Sequence, residues 1–325
     1  MKSLVWIAYH LETLDLVERY VERAAAELES RGHQVVVCRD AESVLREIPE
    51  AEILLCWRIL PEMLARAGKL RWIQFGSAGI DHTLFPELLE SDVILTNLGG
   101  IHTAPLSEHV FGCILAFARK LDLAVRLQIA HEWNRAPFAE GCFDLAGRTV
   151  GIIGYGRVGT EIGRIAKAFG MRVIGMRRTA HQAEYADGIV DMRGLPRLIS
   201  ESDFLVLVLP LTTGTTALLG EAELRSMKRG SYLINVARGQ MVDYAALANL
   251  LREGHMAGAA LDVFNPEPLP PDSELWNVPN LIITPHVAGA HPGYSESAFA
   301  IFRENLRRFE AGEEMVNVFD RGRGY

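Results

Sequence analysis

Residues 150–159 read Val-Gly-Ile-Ile-Gly-Tyr-Gly-Arg-Val-Gly, an apolar run followed by glycines in the spacing G-x-G-x-x-G. Between a strand and a helix, that pattern binds a dinucleotide. Gly154 allows the tight turn, Gly156 lets the backbone approach a pyrophosphate, and Gly159 lets helix and strand pack closely. The unpaired N–H groups and positive dipole end of the helix then face the phosphates. Here the apolar run predicts the strand, and a helical pattern opening at Thr160 predicts the helix. Gly154, Tyr155, Gly156, Arg157, Val158 and Gly159 are therefore the expected phosphate loop. About 20 residues further on, an NAD site usually carries an acid that bonds the ribose hydroxyl. This chain has Met176-Arg177-Arg178-Thr179 there, two arginines and no acid. Guanidinium groups grip phosphate through a planar fork. Arg177, Arg178 and Thr179 are thus expected to hold the 2′-phosphate of NADP(H), with NAD(H) the second choice.

The loop needs a sheet behind it, and the chain supplies two series of strands. In the first hundred residues, 4–8, 35–38, 53–57, 72–75 and 93–96 read as strands, and 14–30 as a helix stopped by Arg31-Gly32. A long helical pattern with one apolar side covers 104–129. From Thr149 the runs 150–153, 173–176, 204–209, 232–235, 258–261 and 281–284 follow, and a helix over about 295–310 comes after Pro285. Strands alternating with helices imply parallel sheets covered on both faces.

The 325 residues, 49 % hydrophobic and 23 % charged, suit two ordinary globular domains. A net charge of −8 argues against nucleic acid or a membrane surface as partner, since both call for a basic face. Cys38, Cys56, Cys113 and Cys142 form no C-x-x-C pair and read as buried, reduced thiols, three in apolar surroundings and Cys142 in a Gly-rich stretch. The apolar run 4–9 is too short for a signal peptide, and no run reaches the roughly 18 residues of a membrane span. The reading is a cytoplasmic protein without a metal site.

Further stretches carry a resemblance. They are Leu145-Ala146-Gly147-Arg148-Thr149 before the glycine loop, Leu209-Pro210-Leu211-Thr212, Met227-Lys228-Arg229-Gly230, Ile234-Asn235-Val236-Ala237-Arg238-Gly239, residues 261–270 (Leu-Asp-Val-Phe-Asn-Pro-Glu-Pro-Leu-Pro), and Thr284-Pro285-His286-Val287-Ala288-Gly289. Together they resemble the D-isomer-specific 2-hydroxyacid dehydrogenase family, which includes glyoxylate/hydroxypyruvate reductases. The resemblance implies an α/β protein of two doubly wound parallel-sheet domains with a cleft between. A Rossmann cofactor domain would take 100–289, and a flavodoxin-like substrate domain 1–99 and 290–325. It implies closure around substrate, and a homodimer formed through the helical segment near 104–127. The function implied is hydride transfer between NADP(H) and a small 2-keto or 2-hydroxy acid, D-specific and of the glyoxylate/hydroxypyruvate type.

The family's catalytic trio falls on Arg238, Glu267 and His286, and the chemistry suits these residue types. A keto acid presents a carboxylate that an always-charged, bidentate arginine can hold. Hydride attack on the carbonyl leaves an alkoxide that needs a proton, which a histidine supplies near neutral pH. A glutamate on the other imidazole nitrogen favours the imidazolium and raises its pKa. The resemblance also places Thr103, Leu209, Pro210, Ala237, Arg238, Asp262 and His286 at the cofactor. In the first domain, Phe75-Gly76-Ser77-Ala78-Gly79 resembles the substrate loop, where small residues let the Ala78 and Gly79 N–H groups approach the substrate carboxylate. Trp57, His82, His291 and Tyr294 are further candidates for the pocket wall. Two other readings compete: a non-catalytic, dinucleotide-sensing relative similar to the superfamily's corepressors, and a phosphonate dehydrogenase on the same scaffold.

Overall fold

The structure is a computed structural model that describes residues 1–6 and 14–325. The chain divides into two α/β units, Met1–His102 with His291–Tyr325, and Thr103–Ala290.

The first unit is built on a parallel sheet of five strands: β1 (Lys2–Trp6), β2 (Gln34–Cys38), β3 (Ile53–Cys56), β4 (Trp72–Phe75) and β5 (Ile94–Thr96). Their order is β2-β1-β3-β4-β5. Positions 7 and 8 of the expected first strand lie outside the described residues. All residues of β3 and β4 are buried, because helices cover both faces of the sheet. Successive side chains alternate between two cores. Leu4, Leu54 and Phe75 join one, and Val5, Leu55 and Trp72 the other. The second core is closed by the helices Leu14–Ser30 and Tyr294–Ala311, through Tyr20, Val21 and Ala24 on one and Phe299, Phe302 and Leu306 on the other. Gln74 is tolerated inside β4 because its Oε1 accepts from the Thr96 hydroxyl at 2.9 Å and from Asn305 Nδ2 at 3.1 Å.

The second unit has seven parallel strands: β6 (Thr149–Ile153), β7 (Arg172–Met176), β8 (Gly188–Val190), β9 (Phe204–Leu207), β10 (Tyr232–Asn235), β11 (Gly258–Leu261) and β12 (Leu281–Ile283). Their order is β12-β11-β10-β9-β6-β7-β8. The chain starts in the middle and reverses direction between β6 and β9. The crevice at that switch point, outside the carboxyl ends of the strands, is where open α/β sheets bind ligands.

Three expectations are corrected. The helical pattern over 104–129 is two helices, Thr103–Ala118 and Leu121–Ile129. Lys120 takes a left-handed backbone (φ 54°), and the Phe143 N–H bonds the Ala118 carbonyl at 3.1 Å, so the helical ladder ends there. The helix after the glycine loop opens at Arg157 rather than Thr160, because the Thr160 N–H already bonds the Gly156 carbonyl at 2.9 Å. Strand β8 is an edge strand that the sequence reading lacked. Cys38, Cys56 and Cys113 are buried thiols, whereas Cys142 is half-buried. Burial, with the Asp262 charge nearby, pushes the Cys113 thiol up to about 12, so it stays protonated and inert. Among the described residues no helix is long and apolar enough to cross a membrane.

Candidate active site

Three chain crossings at the carboxyl edge of the second unit's sheet bring Arg238, Glu267 and His286 together. Strand β10 ends on Asn235, whose fully buried carboxamide spans the next turn. Its Oδ1 accepts from the Ala237 N–H and its Nδ2 donates to the Arg238 carbonyl, each at 3.0 Å. The turn then passes so close to the chain after β11 that a Cβ on Gly239 would lie 2.2 Å from the Phe264 carbonyl carbon. Only glycine fits, and the contact holds the Arg238 turn beside the segment that carries Glu267.

Asp262, just past β11 and 2 % exposed, organises the third crossing. Its Oδ1 accepts from the Thr284 hydroxyl at 2.6 Å and the Val287 N–H at 2.9 Å, and its Oδ2 accepts from the Ala288 N–H at 2.9 Å. Its carbonyl takes the His286 N–H at 2.7 Å. His286 thereby holds a left-handed backbone, φ 54°, which costs a non-glycine residue about 1–3 kcal/mol. The buried carboxylate, filled by donors on both sides of His286, over-determines that conformation.

Glu267 joins the crossings. Its Oε1 accepts from the Phe264 N–H at 2.7 Å and its Oε2 meets His286 Nδ1 at 2.8 Å. An ionised carboxylate only accepts, so Nδ1 carries the proton and Nε2 is the nitrogen left to exchange one. Burial pushes the Glu267 carboxyl up. The hydrogen bonds from His286 and Phe264, with the charges of His286 and Arg238, outweigh it and hold the carboxyl below its usual range. The Glu267 hydrogen bond raises the His286 pKa, against burial and the Arg238 charge and with help from Asp262. The imidazole is 52 % exposed, so its free edge reaches solvent.

The glycine loop fits a dinucleotide on steric grounds. A Cβ on Gly154 (φ 106°) would lie 2.4 Å from the Val208 carbonyl oxygen, and one on Gly159 would lie 2.5 Å from the Gly154 carbonyl oxygen. Over Gly156 nothing lies within 4 Å, which leaves room for a phosphate against the backbone and the helix N-terminus. Tyr155 contributes backbone only. Its ring is buried over Gly163 and Gly175, and its hydroxyl donates to the Glu184 carbonyl at 2.8 Å. Leu209 borders Gly154, Pro210 is exposed beside it, and Ala237 is buried in the Arg238 turn. Thr103 opens the helix Thr103–Ala118, and its carbonyl accepts from the Ser107 hydroxyl at 2.7 Å.

Past β7, Arg177 is half-buried and Arg178 and Thr179 are exposed. His181, which sequence reasoning did not single out, links two of them. Its Nε2 lies 2.9 Å from an Arg177 guanidinium nitrogen and its Nδ1 lies 3.0 Å from the Thr179 carbonyl. Arginine can only donate, so Nε2 is the accepting nitrogen and Nδ1 faces the Thr179 carbonyl.

In the first unit, Ala78 and Gly79 follow β4. Their amides bond no acceptor among the described residues, as an anion nest requires. Tyr294 donates its hydroxyl to the Gly76 carbonyl at 2.6 Å, and the Trp57 ring packs on Gly76 where a Cβ would sit. His82 Nε2 lies 3.0 Å from the Trp57 carbonyl, and the His102 and His291 rings meet edge to face at 5.8 Å. Three of the four expected wall residues thus brace the loop, and the fourth, His291, joins the same aromatic group.

Similarity to known proteins extends over most of the chain. Residues 111–288 match the family described as D-isomer specific 2-hydroxyacid dehydrogenase, NAD binding domain. A glyoxylate reductase from Korarchaeum cryptofilum is 37 % identical over 262 residues, 79 % of this chain and 78 % of the relative. A solved D-isomer specific 2-hydroxyacid dehydrogenase family protein from Aeromonas salmonicida is 32 % identical, with a TM-score of 0.82 over 98 % of this chain and 99 % of that one. An NADPH-dependent glyoxylate/hydroxypyruvate reductase from Sinorhizobium meliloti, solved with NADP and sulfate, is 28 % identical, with a TM-score of 0.83 over 100 % of both chains. The protein belongs to the D-isomer-specific 2-hydroxyacid dehydrogenases, a family of oxidoreductases.

Proposed function

We propose that this chain is an NADPH-dependent reductase of small 2-keto acids of the glyoxylate/hydroxypyruvate type, yielding the D-2-hydroxy acid. The observation that carries the reading is the His286–Glu267 pair, held at 2.8 Å beside Arg238 at the carboxyl edge of the cofactor-binding sheet. The bound nicotinamide supplies the hydride. Arg238 holds the substrate carboxylate. His286 gives its Nε2 proton to the oxygen of the reduced carbonyl. Glu267 keeps the imidazole charged until then, and Asp262 fixes the loop that aims it. Run backwards, neutral His286 takes the hydroxyl proton. In this reading Thr103–Ala290 holds the dinucleotide, and Met1–His102 with His291–Tyr325 holds the substrate. The four free thiols suit a reducing cytoplasm.

The preference for NADPH rests on Arg177, Arg178 and Thr179 where an NAD site would carry an acid, and on the NADP bound in the Sinorhizobium relative. Charge-assisted hydrogen bonds of about 1.5–3 kcal/mol each predict a kcat/KM for NADPH at least about tenfold above that for NADH. The double variant Arg177→Ala/Arg178→Ala should erase the difference. Steady-state rates with both cofactors measure it, and a wild-type preference for NADH would overturn the assignment.

We also propose a homodimer formed through the helix Leu121–Ile129. Leu121, Val125 and Ile129 recur every fourth residue and are 52, 55 and 76 % exposed, and Trp133 beyond them is 94 % exposed. An apolar row of that kind marks a protein contact surface. Sedimentation should give a dimer for the wild type and a monomer for Ile129→Asp/Trp133→Asp. A monomeric wild type would remove the proposal.

A further inference from the structure

Strand β7 ends at Met176, and the segment from Arg177 to the start of β8 at Gly188 is neither helix nor strand. It is nevertheless tied down along its length. The Arg177 N–H bonds the Val190 carbonyl at 3.1 Å, and Gln182 Nε2 donates to the Ala186 carbonyl at 3.3 Å. From the glycine loop, the Tyr155 hydroxyl donates to the Glu184 carbonyl at 2.8 Å. His181 is held as well. A carbonyl can only accept, so His181 Nδ1 donates to Thr179 at 3.0 Å, and Nε2 is left to take an N–H of the Arg177 guanidinium at 2.9 Å. The two bonds fix the ring and, through it, the arginine.

This partner sets Arg177 apart from its neighbours. Arg164, Arg172, Arg193 and Arg197, in the same unit, each meet a carboxylate. A carboxylate orients an arginine and neutralises it. An accepting imidazole nitrogen orients it without adding negative charge, so the cation stays available to an anion. The bond occupies one N–H of the guanidinium and leaves the rest of the fork open. A long side chain that is already held also gives up less rotamer freedom when it grips a ligand. A charge kept, a fork left open and an orientation fixed in advance are what recognition of a phosphate asks of an arginine.

We propose that His181 is a positioning residue that aims Arg177 at the 2′-phosphate of NADP(H) and thereby sets part of the selectivity against NAD(H). The proposal rests on the NADPH reading of Arg177, Arg178 and Thr179, and it adds the residue through which one of those arginines acts. NAD(H) carries a hydroxyl in place of the phosphate, so it gains nothing from a held Arg177.

Calorimetric titration of the protein with NADP+ and with NAD+, in the absence of substrate, tests this without turnover. The wild type should bind NADP+ at least about tenfold more tightly than NAD+. His181→Ala should weaken NADP+ by about three- to tenfold, the loss of one side chain's advance ordering, and should not weaken NAD+. His181→Gln, whose carboxamide oxygen can accept from Arg177, should recover most of that loss. In an Arg177→Ala background, His181→Ala should cost nothing further, because its effect runs through Arg177. Unchanged NADP+ affinity in His181→Ala overturns the proposal and leaves the NADPH reading standing. An equal loss for both dinucleotides overturns it too, since that is general damage to the loop. So does a loss that persists without Arg177, which would make His181 a separate contact. A wild type that binds NAD+ more tightly removes the NADPH reading and the proposal with it.

Discussion

His286→Ala is expected to lower the rate of keto-acid reduction by about 10²–10⁴, the usual share of a positioned general acid. Dinucleotide binding, which rests on the Gly154 loop and the helix Arg157–Ala168, should persist and can be followed by fluorescence titration. The same residue sets the pH dependence. The folded pKa of His286 is raised by Glu267, so the protonated acid is fully present at low pH and is lost as pH rises through that raised value. Reduction should therefore fall on the alkaline side, where oxidation, which needs the neutral imidazole, gains. Glu267→Gln removes the charge that raises the pKa, and the alkaline limb of kcat/KM should move to lower pH. A profile that stays in place would mean that Glu267 does not tune His286.

Arg238→Met should cost a comparable amount through substrate. Two charge-assisted hydrogen bonds to the carboxylate, about 1.5–3 kcal/mol each, correspond to a loss in kcat/KM on the order of 10²–10⁴. Arg238→Lys keeps the charge without the planar fork and should recover only part. Because Arg238 lies beside the pair and its charge depresses the His286 pKa, Arg238→Met should also move the alkaline limb upward. That shift separates loss of a charge at the site from general damage to the fold. Steady-state kinetics across pH reads both effects, and a variant with wild-type kcat/KM would exclude the carboxylate-binding role.

Much of this site was legible in the sequence because its constraints are local. Gly154, Gly156 and Gly159 stand at the spacing that a strand, a turn and a helix start impose, and their steric surroundings differ as the three roles require. Continuous apolar runs such as Phe204–Leu207 mark strands covered on both faces. Other features depend on partners far along the chain. The carboxylate of Asp262 bonds Thr284, Val287 and Ala288, more than twenty residues on, which its own sequence neighbourhood does not predict. Gly239 is required by Phe264, and Asn235 by the turn it spans, neither of which spacing predicts. The helix break at Lys120 was hidden because Leu121, Val125 and Ile129 continue the apolar period while pointing outward. Strand β8, three half-buried residues with glycine first, offers too short an apolar signal to stand out.

The most direct test of the central claim is the initial rate at which the purified protein oxidises NADPH with glyoxylate or hydroxypyruvate, with the chirality of the hydroxypyruvate product determined. The account predicts stoichiometric formation of the hydroxy acid, the D-enantiomer from hydroxypyruvate, at a rate that His286→Ala lowers by about 10²–10⁴. Turnover that is indifferent to His286, an L-product, or no oxidation of NADPH by any 2-keto acid would contradict it.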